Sequence, residues 1–246
     1  MRPFLLLATR AEDRAADEEY AAFLRFGGLS EDELVRVRLE QRPLRESLPA
    51  LDLDAWSGIV LGGSPFTTSD HVKSATQLRV ERELGELLDE VVARDLPFLG
   101  ACYGIGTLGV HLRAVVDTTY GEPVSGVTVE LTPEGVDDPL LGVLPRRFEA
   151  YVGHKEAVTE LPPHATRLAS SAGCPVQAFK VGRNVYATQF HPELDVPGIL
   201  TRVEIYKDAG YFPPETLADL QAALTRHHVT HPPALMRRFV ELYARD

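Results

Sequence analysis

The sequence predicts a three-layer α/β sandwich, in which helices cover both faces of a mostly parallel central sheet. Short apolar strands alternate with amphipathic helical segments along most of the chain. The run Phe4–Ala8 is apolar at every position, which is typical of a strand buried on both faces of a parallel sheet. Glycine turns follow two later strands, after Leu61 and around Cys102, and sites in such folds lie at the carboxyl ends of the strands.

Each element follows from the spacing of its apolar residues. In segment 74–94, Val80, Leu84 and Leu87 recur at helical spacing, whereas apolar and charged residues alternate across 35–39 as in a strand. In chain order, we predict strands at 4–8, 35–39, 59–61, leading into Cys102, at 127–131, 148–152 and 175–179, and leading into His191. We predict helices at 11–26, 74–94, directly after Cys102, and at 217–224 and 233–244. The strands at 148–152 and 175–179 are expected to be antiparallel additions.

Composition indicates a single domain over residues 1–246, with an α/β core at 1–196 and a C-terminal helical extension at 197–246 packed on that core. The chain has 246 residues and is 44% hydrophobic, which is enough to bury one sizeable core. Its net charge of −11 argues against binding to nucleic acid or to an anionic membrane, because phosphate contacts need a basic face. No apolar run approaches the ~20 residues of a membrane span.

The cysteines and the first residues bear on the compartment. Cys102 and Cys174 are the two cysteines, so no disulfide framework is expected, and a reactive thiol suits a reducing compartment. The brief apolar run after Met1 lacks the longer core and small-residue cleavage site of a signal peptide. We therefore expect a cytoplasmic location.

The most informative motif is the run LGACYG at residues 99–104, a strand end followed by a cysteine and a glycine-spaced helix start. A thiol placed there lies at the N-terminus of a helix, whose partial positive charge favours thiolate over thiol. Small neighbours permit the sharp turn that exposes a nucleophile. A buried cysteine before an ordinary turn is the alternative, but the partners described next favour Cys102 as a nucleophile.

Those partners lie in the run QFHPE at residues 189–193. Pro192 keeps His191 out of a helix, so His191 and Glu193 can project to one side of an extended segment. A cysteine nucleophile needs an imidazole to take its proton, and the imidazole needs a carboxylate to hold its tautomer. We therefore predict a triad of Cys102, His191 and Glu193, whose members meet in the fold rather than in the sequence.

A third motif, LGGSP at residues 61–65, is a strand that runs into a glycine turn. Acyl transfer from an amide needs backbone N–H groups directed at the developing oxyanion, and a glycine turn lets the backbone come close. We assign this role to the N–H groups of Gly63 and of Tyr103, the residue after the nucleophile. Gly62 is a candidate substrate-binding residue in the same turn. The alternative is a plain strand-to-loop turn.

Together these motifs resemble the class I glutamine amidotransferase family, and its GMP synthetase-like members in particular. A weaker match is the run VGHKE at residues 152–156, where the family commonly has Ser-His-Gly-Asp. The resemblance covers residues 1–196 and implies a flavodoxin-like core with the catalytic, nucleophilic and oxyanion roles assigned above. In such proteins the cysteine attacks the side-chain amide of glutamine, releases ammonia and leaves a glutamyl thioester for water.

One position departs from the family pattern. The family has Gln four residues after the nucleophile, where it helps to hold the amino-acid end of the substrate, and this chain has Gly106. Three functions stay open: a glutaminase that delivers ammonia to a synthetase in trans, a hydrolase of small γ-glutamyl amide conjugates, and a non-catalytic regulatory or binding protein. The extension at 197–246 is too short for a synthetase domain and has no glycine-rich phosphate loop for ATP, so any ammonia acceptor is expected to be another chain, or there is none.

Other polar residues allow a functional and a structural interpretation. His154 either lines the cleft or hydrogen-bonds its own loop, and it joins Gly62 and Gly106 as a candidate for substrate binding. Cys174 is interpreted as a turn residue. His227 and His231 have a helical i, i+4 spacing, but the prolines that follow favour solvated histidines over a metal site. We expect no metal and no cofactor.

Overall fold

The structure is a computed structural model that describes residues 1–48 and 51–246. Its helices are α1 (Asp13–Gly27), α2 (Leu44–Ser47), α3 (Ala75–Ala93), α4 (Tyr103–His111), α5 (Pro133–Val136), α6 (Val196–Ile205), α7 (Leu217–Leu224) and α8 (Pro233–Tyr243). Its strands are β1 (Phe4–Ala8), β2 (Leu34–Arg38), β3 (Ile59–Leu61), β4 (Phe98–Ala101), β5 (Val115–Asp117), β6 (Glu122–Leu131), β7 (Arg147–His154), β8 (Ala157–Glu160), β9 (Ala165–Ser171), β10 (Ala178–Val181) and β11 (Val185–Thr188).

Nine of the described strands form one sheet, in the order β2-β1-β3-β4-β11-β10-β9-β6-β7. The half from β2 to β11 is parallel, and Leu5 of β1 aligns with Val35 on one side and Ile59 on the other. The half from β11 to β7 is antiparallel. The predicted α/β fold is confirmed, and so is the antiparallel direction of the two added strands. The sheet as a whole is mixed, with its parallel half around Cys102.

Helices cover both faces of the sheet, as the alternation of β1 shows. Leu5 and Leu7 pack in a cluster with α3 and α4 on one face. Phe4 and Leu6 pack on the other face with α1 and α8, where the ring centroids of Phe4 and Phe239 lie 5.9 Å apart. These two apolar clusters, separated by the sheet, are the physical basis of the three layers.

The helices after residue 196 divide between two places. α8 joins the cluster beneath α1 on one face of the sheet. α6 and α7 instead form a smaller cluster in which Ile199, Val203 and Leu224 pack around Tyr151. This smaller cluster adjoins the carboxyl edge of the parallel strands, so the helical extension contributes residues to the region around Cys102.

Some predicted elements differ from the structure. The strand predicted at 175–179 is β10 at Ala178–Val181, because Pro175 has no N–H to donate to a ladder. The two-stranded sheet of β5 and β8, strand β9 and helix α6 were not predicted, since they are short or lack a clean apolar period. None of the helices in the described ranges is long and apolar enough to cross a bilayer.

Candidate active site

Cys102 occupies a strained turn between β4 and α4. Its φ is 53° and its ψ is −91°, in the left-handed half of the backbone map that L-residues rarely adopt. The Cys102 N–H donates to the Thr188 carbonyl at 2.8 Å, which ties the turn to the neighbouring strand β11. A Cβ at Gly100 would lie 2.8 Å from the carbonyl carbon of Gly104, so this turn requires glycine at position 100. A strained backbone held by its surroundings is typical of a functional residue.

His191 and Glu193 follow β11, which is the direct parallel neighbour of β4. Thr188 aligns with Ala101 in that pair, so the chain leaves both strands at the same edge of the sheet. The Nδ1 atom of His191 lies 2.7 Å from Oε1 of Glu193, and both side chains are buried. The His191 imidazole also adjoins Cys102, with which it lines one pocket. The structure therefore brings the three predicted triad residues together.

The electrostatic interactions among His191, Glu193 and Cys102 favour the charged forms of His191 and Glu193. Burial alone would lower the pKa of His191, but the Glu193 carboxylate and then the Cys102 sulfur outweigh it and raise the pKa to about 9. Burial alone would raise the pKa of Glu193, but the His191 charge and hydrogen bond outweigh it and lower the pKa. At neutral pH the pair is thus an imidazolium and a carboxylate, which orients the His191 ring towards the sulfur.

A buried ion pair lies behind the glycine turn. Arg10 Nε donates to Glu19 Oε1 at 2.8 Å, and the two side chains are 4% and 0% exposed. The same Glu19 oxygen accepts the Gly63 N–H at 3.3 Å. Gly62 also faces this carboxylate, because a Cβ there would lie 2.6 Å from Glu19 Oε2.

This hydrogen bond bears on the two predicted oxyanion donors. Gly63 lies beside the His191 imidazole, since a Cβ at Gly63 would be 2.8 Å from His191 Cε1. Its N–H, however, is engaged by Glu19 in this structure. The N–H of Tyr103 belongs to the first turn of α4, where N–H groups have no partner within the helix. The oxyanion role of both groups stays a prediction, and for Gly63 it requires that Glu19 release the N–H.

Cys102 opens onto two pockets that share Ser64, Gly153 and Tyr211. The first, the apolar pocket, is lined by His191 and mostly by aliphatic and aromatic side chains, namely Val124, Val152, Leu194, Ile199, Val203, Tyr206 and Phe212, with Pro65, Arg10 and Arg202. The second, the polar pocket, is lined by Phe66, Thr67, Tyr103, His154, Lys155, Glu156 and Gln189.

Gly106, the departure from the family pattern, is explained by Glu156. A Cβ at Gly106 would lie 2.9 Å from Glu156 Oε1 and 3.3 Å from Thr68 Oγ1. That Glu156 oxygen accepts the N–H of Thr68 at 2.7 Å and its hydroxyl at 2.8 Å, and Oε2 accepts the N–H of Ser69 at 2.6 Å. A carboxylate that holds the 68–69 loop therefore stands where a side chain at position 106 would begin.

His154 occupies both of the positions that the sequence left open, and its part in substrate binding stays a prediction. It lines the polar pocket, and its Nδ1 lies 2.8 Å from the Glu156 carbonyl oxygen. Its Nε2 lies 3.0 Å from Glu122 Oε2. Both ring nitrogens of His154 thus face carboxylate or carbonyl oxygens.

Potential metal ligands occur together at one place. Glu122, His154 and Cys174 bring ligand atoms within 4.8 Å of one another. Burial raises the pKa of Cys174 to about 11, so this residue is a neutral thiol, and its Sγ donates to the Val176 carbonyl at 3.5 Å. The Nδ1 of His227 lies elsewhere, 3.2 Å from Glu149 Oε1.

Comparison with known proteins places these features in a family. The family model described as Glutamine amidotransferase class-I matches residues 32–197. The chain belongs to the class-I glutamine amidotransferase family. A glutamine-hydrolyzing GMP synthase subunit from Haloarcula marismortui is 32% identical over 169 residues, which are 64% of this chain and 80% of that protein. The protein of the same name from Thermoplasma acidophilum is 32% identical over 164 residues, 66% of this chain and 76% of that protein.

Solved structures show the same fold. A glutamine amidotransferase from Thermotoga maritima superposes with a TM-score of 0.73 at 21% identity, covering 100% of both chains. A protein from Thermoplasma acidophilum, described as a GMP synthase subunit, superposes with a TM-score of 0.67 at 22% identity, covering 99% of this chain and 95% of that one. The α/β fold and its mixed sheet are thus those of class-I glutamine amidotransferases.

Tyr211 is a residue of the site that the sequence did not reveal. It lies after α6, beyond the residues that match the family, yet it lines both pockets next to Cys102. Lys155 Nζ lies 4.6 Å from the centre of its ring and donates to the Ala209 carbonyl at 3.2 Å, which holds this segment over the site. Burial raises the pKa of Tyr211 to about 12, so its phenol is a hydrogen-bond donor at neutral pH.

Proposed function

We propose that this chain is a cysteine-dependent amide hydrolase that cleaves the side-chain amide of glutamine to glutamate and ammonia. The observation that carries the proposal is the buried His191–Glu193 pair, with Nδ1 and Oε1 2.7 Å apart, beside a cysteine on a strained turn. Membership of the class-I glutamine amidotransferase family supports it. The intact triad argues against the third possibility, a non-catalytic binding protein.

The reaction follows from these groups. The Cys102 thiolate attacks the amide carbon and forms a C–S bond, while the carbonyl oxygen becomes an oxyanion. The Tyr103 N–H, and the Gly63 N–H once Glu19 releases it, would donate hydrogen bonds to that oxyanion. The His191 imidazolium gives its proton to the amide nitrogen, the C–N bond breaks and ammonia leaves. Neutral His191 then takes a proton from water, whose oxygen attacks the thioester, and glutamate departs as the Cys102 thiolate re-forms. Glu193 keeps the ring oriented throughout.

The ammonia would pass to a second protein. The similar proteins of Haloarcula marismortui and Thermoplasma acidophilum are named as subunits of a glutamine-hydrolyzing GMP synthase. By analogy, we infer that an ammonia-accepting synthetase acts in trans with this chain. Co-purification of a synthetase with a tagged chain, and stimulation of ammonia release by that protein, would test this step.

A second candidate substrate class is supported by position 106. Glu156 and Gly106 replace an arrangement in which a glutamine side chain would help to hold the amino-acid end of the substrate. Small γ-glutamyl amide conjugates would undergo the same chemistry at Cys102, with an amine in place of ammonia as the leaving group.

The decisive experiment labels the nucleophile. The protein is incubated with a glutamine-mimicking diazoketone electrophile, and the adduct is located by mass spectrometry while ammonia release from glutamine is measured. We expect labelling at Cys102 alone, loss of ammonia release in Cys102→Ala, and retention of it in Cys174→Ala, which removes the buried second thiol. Labelling at Cys174, or activity that survives Cys102→Ala, would contradict the proposal.

A further inference from the structure

The apolar pocket beside Cys102 has walls that the release of ammonia does not require. Besides the reacting side chains of Cys102 and His191, its walls include Val124, Val152 and Leu194 from the family-matched region. Ile199, Val203 and Phe212 complete it from the residues that follow that region. Ammonia is small and polar and gains nothing from such walls, whereas burial of an apolar group against them is favourable.

The chemistry decides which part of a substrate lies on this side. The group that protonates the leaving nitrogen must reach it, and His191 lines the apolar pocket and not the polar one. Tyr103, the predicted oxyanion donor, lines the polar pocket together with Glu156. The acyl part of a substrate therefore belongs in the polar pocket, and its leaving amine in the apolar pocket. Tyr211 stands at the border, since it lines both.

We propose that the preferred substrates are secondary γ-glutamyl amides whose nitrogen carries an uncharged apolar group, which the apolar pocket binds. The inference rests on the proposed function, because it uses the same attack by Cys102. The Cys102 sulfur forms a bond to the γ-carbonyl carbon, the C–N bond breaks, and the nitrogen takes the His191 proton and leaves as a primary amine. Water then hydrolyses the thioester to glutamate.

The charges around the pocket narrow the choice of amine. Among the described residues that line it, Arg10, Arg202 and the His191 imidazolium are cationic and none is acidic. Arg10 is already paired with Glu19 at 2.8 Å, so it is not a free binding group for an anion. Arg202 has a buried Nη1 without a hydrogen-bond partner, so the carboxypropylamide in the test below measures whether this guanidinium binds an anion. A second ammonium on the amine would meet the Arg202 guanidinium, and the residues that line the pocket offer it no carboxylate. The amine product, protonated in water, is disfavoured in the pocket for the same reason, which promotes its release.

The test compares γ-glutamyl amides that differ in the leaving group. kcat/KM is measured for glutamine, γ-glutamyl-methylamide, γ-glutamyl-n-butylamide, the 4-aminobutylamide and the 3-carboxypropylamide. Each added methylene is expected to raise kcat/KM about fourfold until the pocket is full. We expect the butylamide to exceed glutamine, and the aminobutylamide to fall at least tenfold below the butylamide.

A variant pair locates the effect. Val124→Phe narrows the pocket at a half-buried wall position and is expected to lower the ratio of butylamide to glutamine kcat/KM at least tenfold. Val143→Phe, an exposed valine outside both pockets, is the matched control and leaves the ratio unchanged. Calorimetry on Cys102→Ala adds a readout without turnover, in which the butylamide binds more tightly than glutamine.

The outcomes separate the two proposals. Turnover of glutamine with equal or slower turnover of the butylamide overturns the pocket assignment and leaves the proposed function standing. Faster turnover of the carboxypropylamide than of the butylamide overturns it too, because the pocket would then recognise charge. A protein inert towards all five amides, with Cys102 unlabelled by the electrophile, overturns the proposed function itself.

Discussion

His191 Nδ1 lies 2.7 Å from Glu193 Oε1, and the Glu193 side chain is completely buried. A carboxylate in this position fixes the tautomer of the ring and keeps it charged. We expect Glu193→Gln to lower kcat for ammonia release about 10³-fold, because the amide neither orients the ring in the same way nor balances its charge. Steady-state assays on the folded variant measure this. The matched control is Glu204→Gln at an exposed position, and a loss below fivefold in Glu193→Gln would count against the triad.

The His191–Glu193 pair should also determine how kcat/KM falls at alkaline pH. The pKa of His191 is raised from 6.5 to about 9, so kcat/KM should fall as the pH rises through about 9 and the ring loses its proton. In Glu193→Gln the balancing charge is gone, and the alkaline limb should move to lower pH. A pH–rate profile of both proteins measures this, and identical limbs would exclude Glu193 as the cause.

The free energy of unfolding should also depend on the titration of His191. Because the folded pKa of His191 lies above its ordinary value, the ion pair contributes fully to the free energy of unfolding below pH 6.5, and this contribution is lost as the pH rises through about 9. Denaturant titrations from pH 6 to 10 should therefore show a decline that is smaller in Glu193→Gln. An equal decline in both proteins would assign it to other groups.

The strained backbone at Cys102 predicts that a glycine at this position stabilises the fold although it removes the nucleophile. At φ 53° and ψ −91°, a residue with a Cβ is strained and a glycine is not. We expect Cys102→Gly to have a free energy of unfolding about 1 kcal/mol above that of Cys102→Ala, although both variants are inactive. Urea denaturation measures the difference. Equal stabilities would mean that the turn relaxes around alanine.

Two glycine substitutions should act in opposite directions. Gly100→Ala places a Cβ 2.8 Å from the backbone of Gly104, so it should destabilise the turn and reduce activity. Gly85→Ala places a Cβ in open space within α3 and should raise the free energy of unfolding by about 0.5–1 kcal/mol without loss of activity. Thermal denaturation and ammonia assays check both, and a harmless Gly100→Ala would contradict the close approach.

Position 106 and Glu156 should be energetically coupled. Gly106→Gln forces a side chain against Glu156 Oε1, 2.9 Å from the new Cβ, and should be destabilising. The cost should be smaller in a Glu156→Ala background, with a coupling of about 1–3 kcal/mol in a double-mutant cycle. Additive effects would show that the carboxylate does not determine the glycine.

The parts of the fold and site that could be predicted are those written in short, local patterns. The apolar run of β1 and the helical spacing of α3 predicted those elements closely. Cys102, His191 and Glu193 were predicted from two motifs because each motif joins a strand end to a reactive side chain, and adjacent parallel strands place their carboxyl ends together.

The remaining features depend on distant contacts. Arg10 and Glu19 meet only once β1 and α1 are packed, although Arg10 closely follows the strand Phe4–Ala8 and could have been suspected for that reason. Tyr211 reaches the site from a segment with no strand or helix of its own. β9 has a polar sequence without alternation, and only its neighbours in the sheet make it a strand.

The pairing of β4 with β11 has a consequence for inactivation. Cys102 and His191 leave adjacent strands joined by backbone hydrogen bonds, with the Cys102 N–H bound to Thr188. No hinge between separate bodies has to close to bring the sulfur to the ring. Heat or urea should thus separate Cys102 from His191 only when the centre of the sheet itself unfolds. The change in reactivity of the Cys102 thiol and the loss of the far-ultraviolet circular dichroism signal should therefore have the same midpoint.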